Sequence, residues 1–262
     1  MKITPSLIGV ALLLAISLPI SASGAIIWSG SVEATISGEP AWGNLADYPV
    51  GDLSDLGTTD WAYFGVSGNM PVFLNSKSGG TALTTLTSNR DGVTNSNLAL
   101  FDAATAVAHF DFIDGSSPAT GSNVNAGVGA RGYQPWNGNP LPVFNLTVPV
   151  ISSDSLLYLW TVNSNSSMRI EAFDGATEIG TEINYAFTGD ASVGRLIKLT
   201  YGGADEPGDL TFRVSMASGN QDHAYLGLAG AALSVVPEPS VTVLLGLGLF
   251  TLVLSRRRTA SR

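Results

Sequence analysis

Cysteine is absent from this sequence. That excludes disulfides, thiolate metal centres and cysteine nucleophiles, and it leaves stability to the apolar core. Lysine is almost absent: Lys2, Lys77 and Lys198 only. There are two histidines, His109 and His223, and they form no His-x-His or His-x-x-x-His pair. A zinc site would therefore need carboxylates to complete it. No Gly-x-Ser-x-Gly elbow accompanies them to build a serine nucleophile, and both read as structural histidines. Helical periodicity is also hard to find.

Positive charge is scarce in the body of the chain. Of 12 basic residues, five (Lys2, Arg256, Arg257, Arg258 and Arg262) lie at the two ends, as does Glu238 among 21 acids. The remaining 7 basic and 20 acidic residues give the stretch 26–236 a net charge near −13. Such a surface repels nucleic acid and anionic lipid, so no nucleic-acid partner is expected.

What is abundant is Gly, Ser, Thr, Asn and period-two alternation, the signature of β-strands. Ile26, Trp28, Val32, Ala34 and Ile36 share one parity, which predicts a first strand with one core face. Ala106, Ala108, Phe110 and Phe112 repeat the pattern, as do Leu210, Phe212, Val214 and Met216. Further strands are expected at 61–66, 82–87, 143–148, 156–162, 168–173, 183–187, 195–201 and 224–235. Turn pairs such as Asp114-Gly115, Asp174-Gly175 and Gly202-Gly203 separate them. Ten or more short strands predict an all-β domain at 26–236, an antiparallel β-sandwich of jelly-roll or lectin-like kind. Two stretches, 38–60 and 116–142, read as long irregular loops.

Several patterns invite a chemical reading. Gly127-Val128-Gly129-Ala130-Arg131-Gly132 fits G-x-G-x-x-G, but an Asn-rich stretch precedes it and no helix is predicted after it, so a dinucleotide site is not expected. A glycosidase needs two carboxylates facing each other. Glu171 with Glu178, or Asp111 with Asp114, are the pairs on offer, against the plainer role of solvated strand and loop acids. The acidic stretches 111–116 and 205–209 could supply oxygen ligands to calcium, the single cofactor the sequence suggests; no EF-hand loop is present, and the metal ligands are not fixed by the pattern. Trp28, Trp61 and Trp160 fall in strands and read as core. Trp42 and Trp136 fall in loops, where an aromatic face can stack on a sugar ring or plug the end of the sandwich.

The ends carry the address. Lys2, the apolar run 7–18, Pro19 and the small residues up to Ala25 form a secretory signal peptide over 1–25. Near the other end, residues 241–254 are uncharged, and Ser240 and Ser255 extend the segment to 240–255. The uncharged run spans about 21 Å as a helix, short against a hydrocarbon core of about 30 Å. Pro237 and Pro239 stop a helix before it, and Arg256, Arg257 and Arg258 follow it as a membrane stop on the cytoplasmic side. The two ends specify one topology, with a single ectodomain outside.

Val236-Pro237-Glu238-Pro239-Ser240, a short glycine-bearing apolar helix and an Arg cluster together resemble the PEP-CTERM sorting signal of Gram-negative bacteria that make exopolysaccharide. The likeness covers 237–262. It implies an exosortase-type membrane protease as partner, with the sorting motif at Pro237, Glu238 and Pro239, transient anchoring in the inner membrane, and delivery to the cell surface or medium. A second stretch, Asp52 to Trp61 with Lys77-Ser78-Gly79-Gly80, is similar to one that recurs in uncharacterised surface proteins of that group. Three functions follow as expectations. The first is a non-catalytic surface or matrix protein associated with exopolysaccharide. The second is a carbohydrate-binding module using Trp42 or Trp136. The third is a secreted polysaccharide hydrolase.

Overall fold

The fold was analysed on a computed structural model, which describes residues 26–38, 51–68, 70–90, 100–102, 108–131, 142–150, 154–186, 188, 192–203, 208–219 and 224–236. The expected signal peptide 1–25, the tail 237–262, Trp42, Trp136 and His223 lie outside the described residues.

Chain order is β1 (Ile27–Gly38), β2 (Gly51–Asp52), α1 (Leu53–Leu56), β3 (Asp60–Ser67), β4 (Met70–Ser76), β5 (Thr85–Arg90), β6 (Leu100–Asp102), β7 (Ala108–Phe112) and β8 (Gly121–Ala126). It continues with β9 (Val128–Arg131), β10 (Pro142–Val150), β11 (Ser155–Ser164), β12 (Ser166–Asp174), β13 (Thr177–Tyr185), β14 (Ser192–Gly202), β15 (Gly208–Gly219) and β16 (Tyr225–Val235).

Alternation explains the layers. In β15, Leu210, Phe212, Val214 and Met216 are buried while Thr211 and Arg213 are partly exposed. That pattern makes one face of a five-stranded sheet, ordered β13-β12-β15-β10-β5. Its apolar face packs on an eight-stranded sheet ordered β1-β14-β11-β16-β3-β4, with β9 beside β16 and β6 beside β9. The core between them gathers Leu146, Leu157, Leu159, Ile170, Ile197, Leu199, Phe212 and Leu228, among others. Each such side chain contributes about 1.5–3 kcal/mol on burial.

Central strands of the larger sheet are buried on both faces. β16 is buried along its first nine residues, Tyr225 to Leu233. The reason is a third layer. A small sheet, β2-β7-β8, lays Ala108, Phe110 and Phe112 on Trp61, Tyr63, Trp160 and Tyr225. Phe110 meets Trp160 edge-on at 5.2 Å between ring centroids. A bulge lets one strand serve both cores: Trp160 pairs with Gly230 but Thr161 with Leu228, leaving Ala229 over. Leu226 and Leu228 before it, and Ala231 and Leu233 after it, all enter the large core.

Pairing is antiparallel except for the short parallel contact of β2 with β7. The result is the expected all-β, sandwich-like architecture with a third layer added. Among the described residues, helix is limited to the four-residue α1, and no helix is long and apolar enough to cross a membrane.

Three expectations are corrected. β1 is an edge strand, and its register shifts between Val32 and Ala34, so its alternation does not point one face at the core; Val32 is exposed. The strand expected at 82–87 begins at Thr85, because the Ala82 and Leu83 amides donate to Asp60 instead of to a ladder. The stretch 116–142 is not one long loop, since it contains β8 and β9. In the 127–132 stretch Val128–Arg131 is itself a strand, which agrees with the expectation that its G-x-G-x-x-G pattern is no dinucleotide site.

Candidate functional site

The Asp52–Trp61 stretch and the Lys77–Gly80 stretch fold into one polar network. Asp52 caps α1 by accepting from the amides of Ser54 at 3.0 Å and Asp55 at 3.1 Å. Leu53 is fully buried and pins the helix to the smaller core, which aims Ser54 at Asp114. Asp114 Oδ1 accepts from Ser54 Oγ at 2.5 Å and from Trp61 Nε1 at 2.7 Å, and its Oδ2 pairs with Lys77 Nζ. Burial alone would push the Asp114 carboxyl up. The donors from Lys77, Ser54 and Trp61 outweigh it and hold the group below the usual carboxylate range. Asp60 is 2% exposed and accepts from three amides, Trp61 at 2.8 Å, Ala82 at 2.7 Å and Leu83 at 2.9 Å. A side chain on Gly80 would collide with its carboxylate, which is why glycine stands there. These acids are joints between layers. Asp111 is separately engaged, accepting from the Asn123 amide at 2.7 Å, so Asp111 and Asp114 do not act as a facing pair.

Glu171 and Glu178, the other sequence-selected pair, do come together, with Glu182 as a third member. Their carboxylate oxygens lie within 4.8 Å of one another, the single group of three or more potential metal-ligating residues among the described residues. The register of β12 against β13 shifts between Ile170 and Ala172, which brings Glu182 round to Glu171. Glu171 is 6% exposed although it sits on the outer face of the five-stranded sheet. Arg169 bridges the acids, with Nε 3.3 Å from Glu171 and Nη1 3.3 Å from Glu182. Asn184 Nδ2 donates to Glu182 at 2.8 Å, and Arg213 stands opposite Glu171 on β15. Burial pushes the Glu171 carboxyl up. Arg169 and Arg213 oppose this, Glu178 and Glu182 reinforce it, and the net direction is upward. The cluster is thus an arginine-compensated acid group on an open sheet face. Sequence alone could not find Glu182, because only the register shift carries it there.

A recess of about 160 Å³ opens at one end of the sheet edge, lined by Ile27, Trp28, Asp154, Thr200, Tyr201 and Gly202. Trp28 reads as core from its alternation, yet it is half-buried because β1 is the edge strand. Its Nε1 donates to the Ile179 carbonyl at 2.7 Å and its ring meets Phe212 edge-on at 5.7 Å, so the indole is fixed. Gly202 lets the Asp154 carboxylate close over the strand. Burial pushes the Tyr201 phenol up, and its hydroxyl donates to the Pro149 carbonyl at 3.1 Å. Tyr201 is buried and its hydroxyl is taken by Pro149, so what the recess offers is an aromatic plate beside a carboxylate, which is sugar-compatible chemistry.

His109 is half-buried on β7, on the parity opposite Ala108 and Phe110. Trp61 and Trp160 are fully buried, as their strands predict. Trp42, Trp136, Pro237, Glu238, Pro239, Arg256, Arg257 and Arg258 lie outside the described residues. What the structure does describe is where the tail begins. β16 ends at Val235, and the Val236 amide still donates to the Asp154 carbonyl at 2.8 Å.

Comparison with known proteins adds one positive finding. Residues 235–258 match the PEP-CTERM protein-sorting motif, which supports an exported protein that is membrane-associated before processing by exosortase. No curated protein matches the chain. Among solved structures, the chain is similar to the enzymatically active domain of tailspike protein 4 from bacteriophage CBA120, at 12% identity and a TM-score of 0.26. That likeness covers 68% of this chain and 20% of the tailspike chain, and it carries no argument about activity.

Proposed function

We propose that this chain is an exported cell-surface or matrix protein whose lectin-like sandwich is a non-catalytic component associated with exopolysaccharide. The segment 240–255 anchors it in the inner membrane until an exosortase-type protease acts at Pro237, Glu238 and Pro239, with Arg256, Arg257 and Arg258 resisting translocation. The observation that carries the sorting half is the motif match at 235–258, which begins at the last residue of β16. Supporting the non-catalytic half, Asp114 is engaged by Lys77, Ser54 and Trp61, Glu182 accepts from Arg169 and Asn184, and Glu171 is ion-paired with Arg169 at 3.3 Å. The test is the C-terminal mass of the mature protein in a host that has an exosortase. Loss of the Arg cluster is expected, and a mature protein still ending in Arg262 overturns the proposal.

A second reading, a carbohydrate-binding module, is favoured by the Trp28–Asp154–Tyr201 recess and draws on Trp42 and Trp136 as further stacking surfaces. Replacing Trp28 by Ala should then reduce polysaccharide retention at least severalfold. Unchanged retention for Trp28→Ala, Trp42→Ala and Trp136→Ala removes this reading. The hydrolase alternative predicts loss of a measurable glycan-cleaving activity in Glu171→Gln or Glu178→Gln.

A further inference from the structure

The sorting match starts at residue 235, whereas the fold holds the chain through residue 236. Two residues therefore belong to both. The holding contacts are specific. Thr59 donates its amide to the Leu233 carbonyl at 3.0 Å, and its Oγ1 accepts from the Val235 amide at 3.2 Å. Ser234 Oγ accepts from the Thr58 amide at 3.1 Å and donates to the Leu56 carbonyl at 2.7 Å. Val235 pairs with Ser155, and the Val236 amide donates to the Asp154 carbonyl at 2.8 Å. Apolar anchoring stops earlier: Leu233 is 2% exposed, Ser234 and Val235 are half-buried, and Val236 is 37% exposed.

A protease binds its substrate as an extended peptide, with main-chain contacts on residues to both sides of the reacting bond. Here Pro237 follows a residue whose amide is already bonded inside the fold. We propose that Ser234–Val236 is a clasp that must open before a membrane-embedded processing protease can take the motif, so that the folded domain and the enzyme compete for the same main chain. This rests on the sorting reading of the tail. Opening is local, because the clasp is made of solvent-exposed hydrogen bonds beyond the last buried side chain, the low-stability end of a strand. Leu233, with Asp60 opposite it in β3, sets where the peeling stops.

The test uses the full chain in a host with an exosortase, following the C-terminal mass over time after a pulse of synthesis. Ser155 and Val235 face each other across antiparallel strands, a spacing of about 4.5–5.5 Å that a disulfide spans. The double variant Ser155→Cys/Val235→Cys, in a chain with no other cysteine, should be processed at least tenfold more slowly when oxidised and recover with a reductant. Thr59→Val with Ser234→Ala should be processed about threefold to tenfold faster than wild type. Eight Gly/Ser residues inserted between Val236 and Pro237 should make all three chains equally fast. If the wild-type chain is cut and the oxidised chain is cut at the same rate, the clasp is overturned while the sorting reading stands. If the wild-type chain keeps its tail, the sorting reading fails and the clasp falls with it.

Discussion

Two acids with opposite pKa directions give opposite pH dependences. Asp114 is held below its usual range by Lys77, Ser54 and Trp61 against the effect of burial, so its contribution is present above the unfolded value of about 3.9 and lost as pH falls through the folded one. Asp114→Asn should cost about 1 kcal/mol at pH 7, a modest figure because the side chain is about a third exposed, and the gap to wild type should close in acid. Denaturant melts at pH 7 and pH 3 check this. Glu171 is pushed up, mainly by burial, so its charged form weakens the fold as pH rises through its folded value. Glu171→Gln should raise the melting temperature at pH 7 and match wild type below about pH 4, where both states are protonated. A variant less stable than wild type at pH 7 would mean that the Arg169 pairing dominates. The sequence offers Glu171 with Glu178 but not Arg169 and Arg213 beside Glu171, because charge pairing across strands depends on register and register is a tertiary fact.

At the scale of elements, Ala229 is the informative residue. It is the extra residue of the β16 bulge, and the bulge keeps Leu226 and Leu228 in phase with Ala231 and Leu233. Deleting Gly227 from the regular part of the strand should put Leu226 and Leu228 on opposite faces, turning one buried leucine out of the large core at a cost of about 1.5–3 kcal/mol, whereas deleting Ala229 would leave residues 226, 228, 231 and 233 in strict alternation. Ala229→Gly, which keeps the count, should cost far less than the Gly227 deletion, and urea denaturation of these variants separates the effects. Strands whose alternation survives into a single buried face, such as β10, β12 and β15, were legible in the sequence. β1 misleads because a bulge breaks its parity, and the pattern marks only the last three residues of β13, 183–185, because 177–182 is an exposed edge with no apolar alternation. The third layer was not legible at all. Phe110 and Phe112 declare a buried face without saying which sheet they bury against.

For the whole molecule, the two ends of the described chain leave by one side. Ile27 pairs with Gly202, Tyr201 with Ser155, and Ser155 with Val235, which places Ile27 and Val235 three strand spacings apart, roughly 14 Å. A circular permutant joining Val236 to Ile27 through about eight Gly/Ser residues, opened at the Gly175 turn, should fold with a melting temperature within a few degrees of the parent. A molten or aggregated product would contradict the arrangement. The order in which these strands are made has its own consequence. β16, the last strand among the described residues, is not at an edge: β11 flanks it on one side, and β9 and then β3 flank it on the other. The strands that neighbour it are synthesised long before it and must wait with their inner edges open. No partial product lacking β16 can close either core, since Leu226, Leu228 and Leu233 belong to one and Tyr225 and Ala232 to the other. Closing both cores therefore waits for residues 225–235, so a chain halted before them holds the strands on either side of the β16 position without their shared partner.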